Sequence, residues 1–263
     1  MPTKTQSSIM SGSSQVGVSG FKDYRSLQEL VIVPGHAVYV GKEKEHANND
    51  DYWLGGFRGE APYYTQHALA GVDIAGKLSK SLLVFSGGIT RDVQRPDGET
   101  SLPLSESQSY YILAGQFRWN ELPEVRARAT IDDFARDSFE NVAFSTAVFY
   151  RMAKKMPDKV VVCGWEFKRT RYLMHADALG LPMRDFTYLG VNNPEGIDER
   201  DLSTPLGKAI AGEEKAVGDF ATCPLGNVGP LYDKKLKRDP WLRGQVAEEM
   251  ATKIFPVLNI RRV

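Results

Sequence analysis

The sequence predicts an α/β fold: a mainly parallel sheet with helices on both faces, extended by a C-terminal helical appendage. Three observations predict it. Short apolar runs alternate with segments of helical spacing from residue 29 to residue 189. The runs are continuously apolar instead of alternating, as strands buried on both faces are. After Gly190 the strand signals stop and helical spacing alone continues.

The elements follow in order. Glu29-Leu30-Val31-Ile32-Val33 is an apolar, β-branched run closed by Pro34-Gly35, the first strand. Residues 41–62 are polar, with Asn48-Asn49-Asp50-Asp51 and Gly55-Gly56, and read as a long insertion loop. Residues 64–80 have helical spacing through Ala68, Val72, Ala75 and Leu78. Residues 81–85 are the second strand, and a loop with Pro96 and Gly98 spans 87–103. Ser105 is placed to cap a helix from Glu106 to about Trp119. A third strand at 127–131 precedes an apolar helix over 137–155. Lys159-Val160-Val161-Val162-Cys163 is the fourth strand. A helix from 168 to 179 stops at Gly180, and 186–189 is the fifth strand. Beyond a polar linker at 194–204, residues 206–220 and 242–255 read as helices. The predicted organisation is a flexible tail at 1–20, an α/β core at 21–190, and a helical extension at 191–263 packed on that core.

Composition bounds the function. Lys plus Arg and Asp plus Glu are both 33, which gives no global attraction to nucleic acid or an anionic membrane. No apolar run approaches the roughly 20 residues of a membrane-spanning helix. Residues 1–20 are rich in Ser and Gly and lack the apolar stretch of a secretory signal. Two distant cysteines make no disulfide framework, so the expected compartment is reducing, the cytoplasm.

In an open parallel sheet, ligands bind beyond the carboxyl ends of the strands. Here those ends carry Pro34-Gly35-His36, Ser86-Gly87-Gly88, Asp132-Asp133 and Gly164-Trp165-Glu166. Asp137-Ser138 opens the helix after the third strand, and Lys168, Arg169 and Arg171 open the one after the fourth. Each element has two readings. Asp137 and Glu140 form a capping box or contact a ligand. Gly87-Gly88 is a turn or a phosphate loop. Cations in a helix's first turn oppose its dipole unless an anion is also bound there. His36 is a general base or a structural hydrogen-bond partner. Several classes are excluded or demoted. The chain lacks the P-loop, the dinucleotide fingerprint after its first strand, and a G-x-S-x-G elbow at Ser86. Its Cys and His residues lack zinc-ligand spacing, and Cys163 reads as a buried structural thiol.

The ordered motifs resemble the domain-of-unknown-function family typified by the bacterial proteins YdcF, SanA and ElyC. The matching residues are Pro34-Gly35, Ser86-Gly87-Gly88, Ser105-Glu106, Asp132, Ser138-Phe139-Glu140-Asn141 and Phe167-Lys168-Arg169-Thr170-Arg171, across residues 30–189. Ser138 stands where the family has Thr, Asp132 where it has Glu, and Lys168 where it has His. The resemblance implies a Rossmann-like three-layer sandwich. It also implies S-adenosylmethionine as a candidate ligand, because one member is associated with that cofactor.

The expected function is binding of a small anionic or nucleotide-like ligand at the strand carboxyl ends. Backbone amides of Gly87 and Gly88, with Arg171 and Lys168, are expected to hold its negative charge. Glu140 and Asn141 are expected to orient a polar group, and Glu106 to take a ribose-like hydroxyl or a metal-bound water. Gly35, Ser86, Ser138 and Trp165 complete the expected binding set, with Glu140, Asp132 and Lys168 as candidate catalytic groups. One alternative is a phosphoester or pyrophosphate hydrolase with Mg²⁺ held by Asp132, Glu140 and Glu166. The other is a non-catalytic interaction module.

Overall fold

A computed structural model describes residues 23–90, 104–192, 203–239 and 242–259. The expected tail at 1–20 lies outside the described residues, as do most of the loop at 87–103 and of the linker at 194–204. The strands are β1 (Glu29–Pro34), β2 (Val38–Tyr39), β3 (Trp53–Leu54), β4 (Ser81–Ser86), β5 (Ala129–Asp132), β6 (Lys159–Trp165) and β7 (Phe186–Asn192). The helices are α1 (Ala61–Lys77), α2 (Glu106–Gln116), α3 (Pro123–Arg126), α4 (Ser138–Ala153), α5 (Arg169–Ala178), α6 (Pro205–Thr222), α7 (Gly229–Lys237) and α8 (Gly244–Thr252).

Five strands form one parallel sheet in the order β5-β4-β1-β6-β7. The chain runs outwards from β1 to β5 and then returns to β6 on the other side of β1. This is a Rossmann-like sandwich, with its topological switch point between β1 and β6.

Alternation along the strands builds two cores. Leu30, Ile32, Leu82, Val84, Val160 and Val162 face one layer, packed with Val142, Phe149 and Ala176 of α4 and α5. Val31, Val33, Leu83, Phe85, Val161 and Cys163 face the other, packed with Val72, Tyr110 and Leu113 of α1 and α2. Burial pushes the Cys163 thiol up to about 12, as expected of a packed structural cysteine.

Two regions depart from the expectation. Residues 41–62 are not an open loop. They carry β3, which pairs antiparallel with β2 just ahead of the segment, and short 3₁₀ turns. Buried Trp53 anchors them, its indole donating to the Ala47 carbonyl at 2.8 Å. The C-terminal region has an additional helix, α7. Phe220, Leu231, Ala247, Ala251 and Phe255 from α6, α7, α8 and the turn after it join the α4–α5 core. Helix α4 is consequently buried nearly all round, between sheet and C-terminal helices. Among the described residues no helix is long and apolar enough to cross a membrane.

Candidate functional site

A cavity of about 740 Å³ opens above the switch point. Gly35 and His36 after β1 and Trp165, Phe167 and Lys168 after β6 form its floor. Glu106, Ser138, Asn141 and Arg171 come from α2, α4 and α5. Glu213, Lys234 and Arg238 of the α6–α7 segment line it as well. The predicted Ser86, Gly87, Gly88, Asp132 and Glu140 are not in its wall.

The SGG loop is knitted to the protein and does not present amides to a ligand. Gly87 N–H donates to the Asp132 carbonyl at 2.9 Å, and Gly88 N–H to the Ala135 carbonyl at 2.7 Å. Their own carbonyls accept from Ser107 N–H (3.0 Å) and Glu106 N–H (3.2 Å), the first amides of α2. Ser105 Oγ accepts from Gln108 N–H, and the Gln108 side chain accepts from Ser105 N–H, completing a capping box. The expected anion cradle at Gly87 and Gly88 is thus corrected: those donors are already used. The glycines serve packing. A Cβ on Gly87, whose φ is +155°, would meet Glu106 at 2.8 Å, and one on Gly35 would meet it at 2.6 Å. Glu106 therefore lies across both turns and accepts from Thr90 Oγ1 at 2.7 Å.

Asp132 sits below the floor, 1% exposed. Burial pushes its carboxyl up to about 7, against hydrogen bonds from Ser86 and the Phe134 amide. Ser86 Oγ is 2.7 Å from Asp132 Oδ2 and 3.0 Å from Asn141 Oδ1, and its one proton serves one of them. A protonated Asp132 donates to Ser86, which donates to Asn141, whose amide donates to Tyr172 Oη at 3.3 Å. This chain ends at the cavity wall, where Asn141 and Tyr172 lie. Asp132 holds the chain in place and is out of reach of a ligand, which corrects its expected catalytic role.

Glu140 is also committed. Asp137 caps α4 by accepting from Glu140 N–H at 2.9 Å. The Glu140 carboxylate does not return to the cap, as the sequence suggests, but takes the Arg136 amide (2.8 Å) and guanidinium (2.6 and 2.9 Å). Lys235 of α7 lies 3.1 Å away. With Arg136 and Glu140 each 2% exposed, this is a buried structural ion cluster and leaves no open proton position. Glu166 pairs with Arg169 over β7. Asp132, Glu140 and Glu166 do not converge, and among the described residues no cluster of three His, Cys, Asp or Glu is arranged to hold a metal.

Arg171 was expected to be an open anion anchor. Instead its guanidinium forks onto Glu213 of α6 at 2.8 and 2.6 Å, with a third donor on Ser138 Oγ at 2.9 Å. Ser138 Oγ is also 2.8 Å from His175 Nε2. That contact is not an activated serine. His175 is fully buried, and burial, then Arg171 and Lys235, hold its imidazole well below the usual histidine range. An imidazole so weakened is a poor acceptor for the serine proton.

Lys168 is different. Its ammonium has no carboxylate within ion-pair distance among the described residues, and its hydrogen-bond neighbour is His36 Nδ1 at 3.3 Å. Burial, then Arg171, lower it to about 8, with Glu213, Glu60 and Glu106 pulling the other way. Burial, then Lys168, His67 and Arg171, hold His36 well below its usual range, so the imidazole is neutral. His67 of α1 lies edge-on 5.6 Å from His36, and burial and then Lys168 take it down to about 3. Lys234 is also lowered, by burial first and then by Arg238 and Arg171.

Sequence reading missed Glu60, Tyr64 and His67, which border the site from the start of α1. It also missed Glu213, Lys234 and Arg238, which come from the far end of the chain. Glu60 falls in the segment read as loop, and Tyr64 and His67 at the start of the helix read after it. The others have no local motif, and only the docking of α6 and α7 brings them to the sheet edge.

The chain is similar to the uncharacterized protein YOR238W of Saccharomyces cerevisiae, 25% identical over 285 aligned residues that cover 89% of this chain and 90% of that protein. No family model matches the chain. No solved structure matches it.

Proposed function

We propose that the protein binds a small, multiply charged anion of nucleotide-like build in the cavity above the switch point. One observation carries the reading. Lys168, Arg171, Lys234 and Arg238 line one cavity, and burial first, then cation neighbours, depress both lysines. Arg171 is matched by Glu213, whereas Lys168 and Lys234 have no carboxylate in ion-pair range among the described residues. A low-dielectric cleft with excess positive charge concentrates anions. Phe57 at the lip is 50% exposed, and half-buried Phe167 adds flat apolar surface for a ring. The motif order that resembles the YdcF, SanA and ElyC family fits the same edge of the sheet.

The charge balance ranks the ligands. S-adenosylmethionine carries a sulfonium and an ammonium against one carboxylate and is net cationic, so the uncompensated lysines favour a phosphate-bearing nucleotide over it. Thermal shift and calorimetry with ATP, ADP, pyrophosphate, inorganic phosphate and S-adenosylmethionine test this. A rise in melting temperature is expected with the phosphate compounds, shrinking with added salt. Lys234→Ala should weaken binding about tenfold, the effect of one lost charge-assisted hydrogen bond. No shift with any phosphate compound would overturn the reading and leave the interaction module in its place.

A further inference from the structure

We propose that Lys168 is a reactive amine, and that the cavity accepts an anionic aldehyde or ketone with which this amine condenses to an imine. The proposal rests on the anion-binding reading above and specifies the chemistry at that site. The geometry carries it. Lys168 is placed against an imidazole nitrogen at 3.3 Å and in the cavity that holds the Arg171 guanidinium. Arg171 cannot swing away, because Glu213 and Ser138 hold three of its donors. A fixed cation beside the amine is an arrangement that makes a lysine nucleophilic near neutral pH.

The groups facing Lys168 come from each surrounding element: His36 after β1, Glu60 before α1, His67 on α1, Glu106 on α2, Arg171 on α5 and Glu213 on α6. The carboxylates are more distant than the imidazole, and none forms an ion pair with Lys168 among the described residues. If Lys168 donates to His36 Nδ1, the neutral imidazole carries its proton on Nε2, which is buried and has no hydrogen-bond partner among the described residues. His36 thereby remains an acceptor, orienting the amine while its lone pair faces the cavity.

The reaction balances without a further reagent. The ammonium gives one proton to solvent, and the amine lone pair attacks the carbonyl carbon while the C=O π pair moves to oxygen. Proton transfer from nitrogen to oxygen gives the carbinolamine, which loses water to leave C=N. Lys234, which lines the same cavity and has no carboxylate in ion-pair range among the described residues, would receive the anionic end of the same molecule.

Pyridoxal 5′-phosphate, an aldehyde bearing a phosphate, is a direct probe. The full-length protein is incubated with it at several pH values, reduced with borohydride, and the pyridoxyl-lysines are mapped by mass spectrometry. Labelling is expected to concentrate on Lys168, at least about tenfold above the exposed lysines at pH 7.5. Its rate should rise with a midpoint near pH 8 and fall with added inorganic phosphate. Lys168→Arg, which keeps the charge, should still bind pyridoxal phosphate but give no adduct at that position and no general rise elsewhere. Labelling spread over Lys208, Lys215 and Lys234 according to exposure would overturn the proposal. Reversible binding of the probe, competed by phosphate but giving no reducible adduct, would overturn the imine and leave the anion site standing. Absence of binding would remove both.

Discussion

Asp132 shows most clearly how burial decides what a residue does. It was legible as an acid at a strand end, and on that basis is easily read as catalytic. The structure seals it under the floor, where it needs a proton to complete the Ser86–Asn141–Tyr172 chain. The sign of the pH effect follows. Its folded-state pKa of about 7 lies above the unfolded value near 3.9, so the folded form binds the extra proton between those limits. The stability it contributes is complete below about pH 4 and is lost as pH rises through 7, at up to about 1.4 kcal/mol per pH unit. The buried neutral histidines act oppositely, gaining stability as pH rises towards 6.5, so the readout is a difference between proteins. Asp132→Asn keeps a donor for Ser86 and cannot ionise. Urea melts from pH 5 to pH 8 should show the wild type losing stability relative to this variant. Parallel curves would mean that Asp132 is already ionised and the relay runs the other way.

At the level of elements, the strands and the helices between them were legible because period-two burial and helical spacing are local properties of sequence. The polar segment at 41–62 was not, since its order comes from one buried Trp and a short hairpin, not from periodicity. Part of the candidate site was legible for the same reason: Gly35, Glu106, Ser138, Asn141, Trp165, Lys168 and Arg171 follow strands and reach the cavity. The partners that fix their roles were not legible, because they belong to distant helices. Arg171 illustrates this. From sequence it is a free guanidinium, whereas in the fold it is the dock for α6 through Glu213, whose side chain is 7% exposed. Breaking one side of such a pair strands the other charge. Arg171→Met should therefore cost about 3–5 kcal/mol, and Glu213→Gln a smaller amount in the same direction. The double change to Met and Leu should recover much of the loss, giving a coupling of about 0.5–3 kcal/mol in a double-mutant cycle. Single variants as stable as the wild type would show that α6 docks through its apolar face alone.

For the molecule as a whole, the C-terminal helices complete both the core and the site. The sequence alone separates them from the sheet, since nothing after Gly190 reads as a strand. In the fold, Phe220, Leu231, Ala247, Ala251 and Phe255 close the face of α4 and α5. Arg136 reaches Asp239 and Glu248 there, and Glu140 and Asp137 reach Lys235. A chain ending at Asn192 would expose that apolar face to water. It would also leave Arg136, 2% exposed in the whole protein, with two of its three carboxylates gone. Each fully buried Leu or Phe contributes about 1.5–3 kcal/mol, so losing Phe220, Leu231 and Phe255 alone approaches the 5–15 kcal/mol that holds a typical domain together. The truncated chain is therefore expected to lack a cooperative melt and fixed near-ultraviolet dichroism while keeping much of its helical signal. A sharp, two-state transition in that chain would show that the sheet and its first five helices fold alone. The C-terminal helices would then act as a cover placed on a finished core, and the cations that they bring to the cavity would be additions to a site already formed.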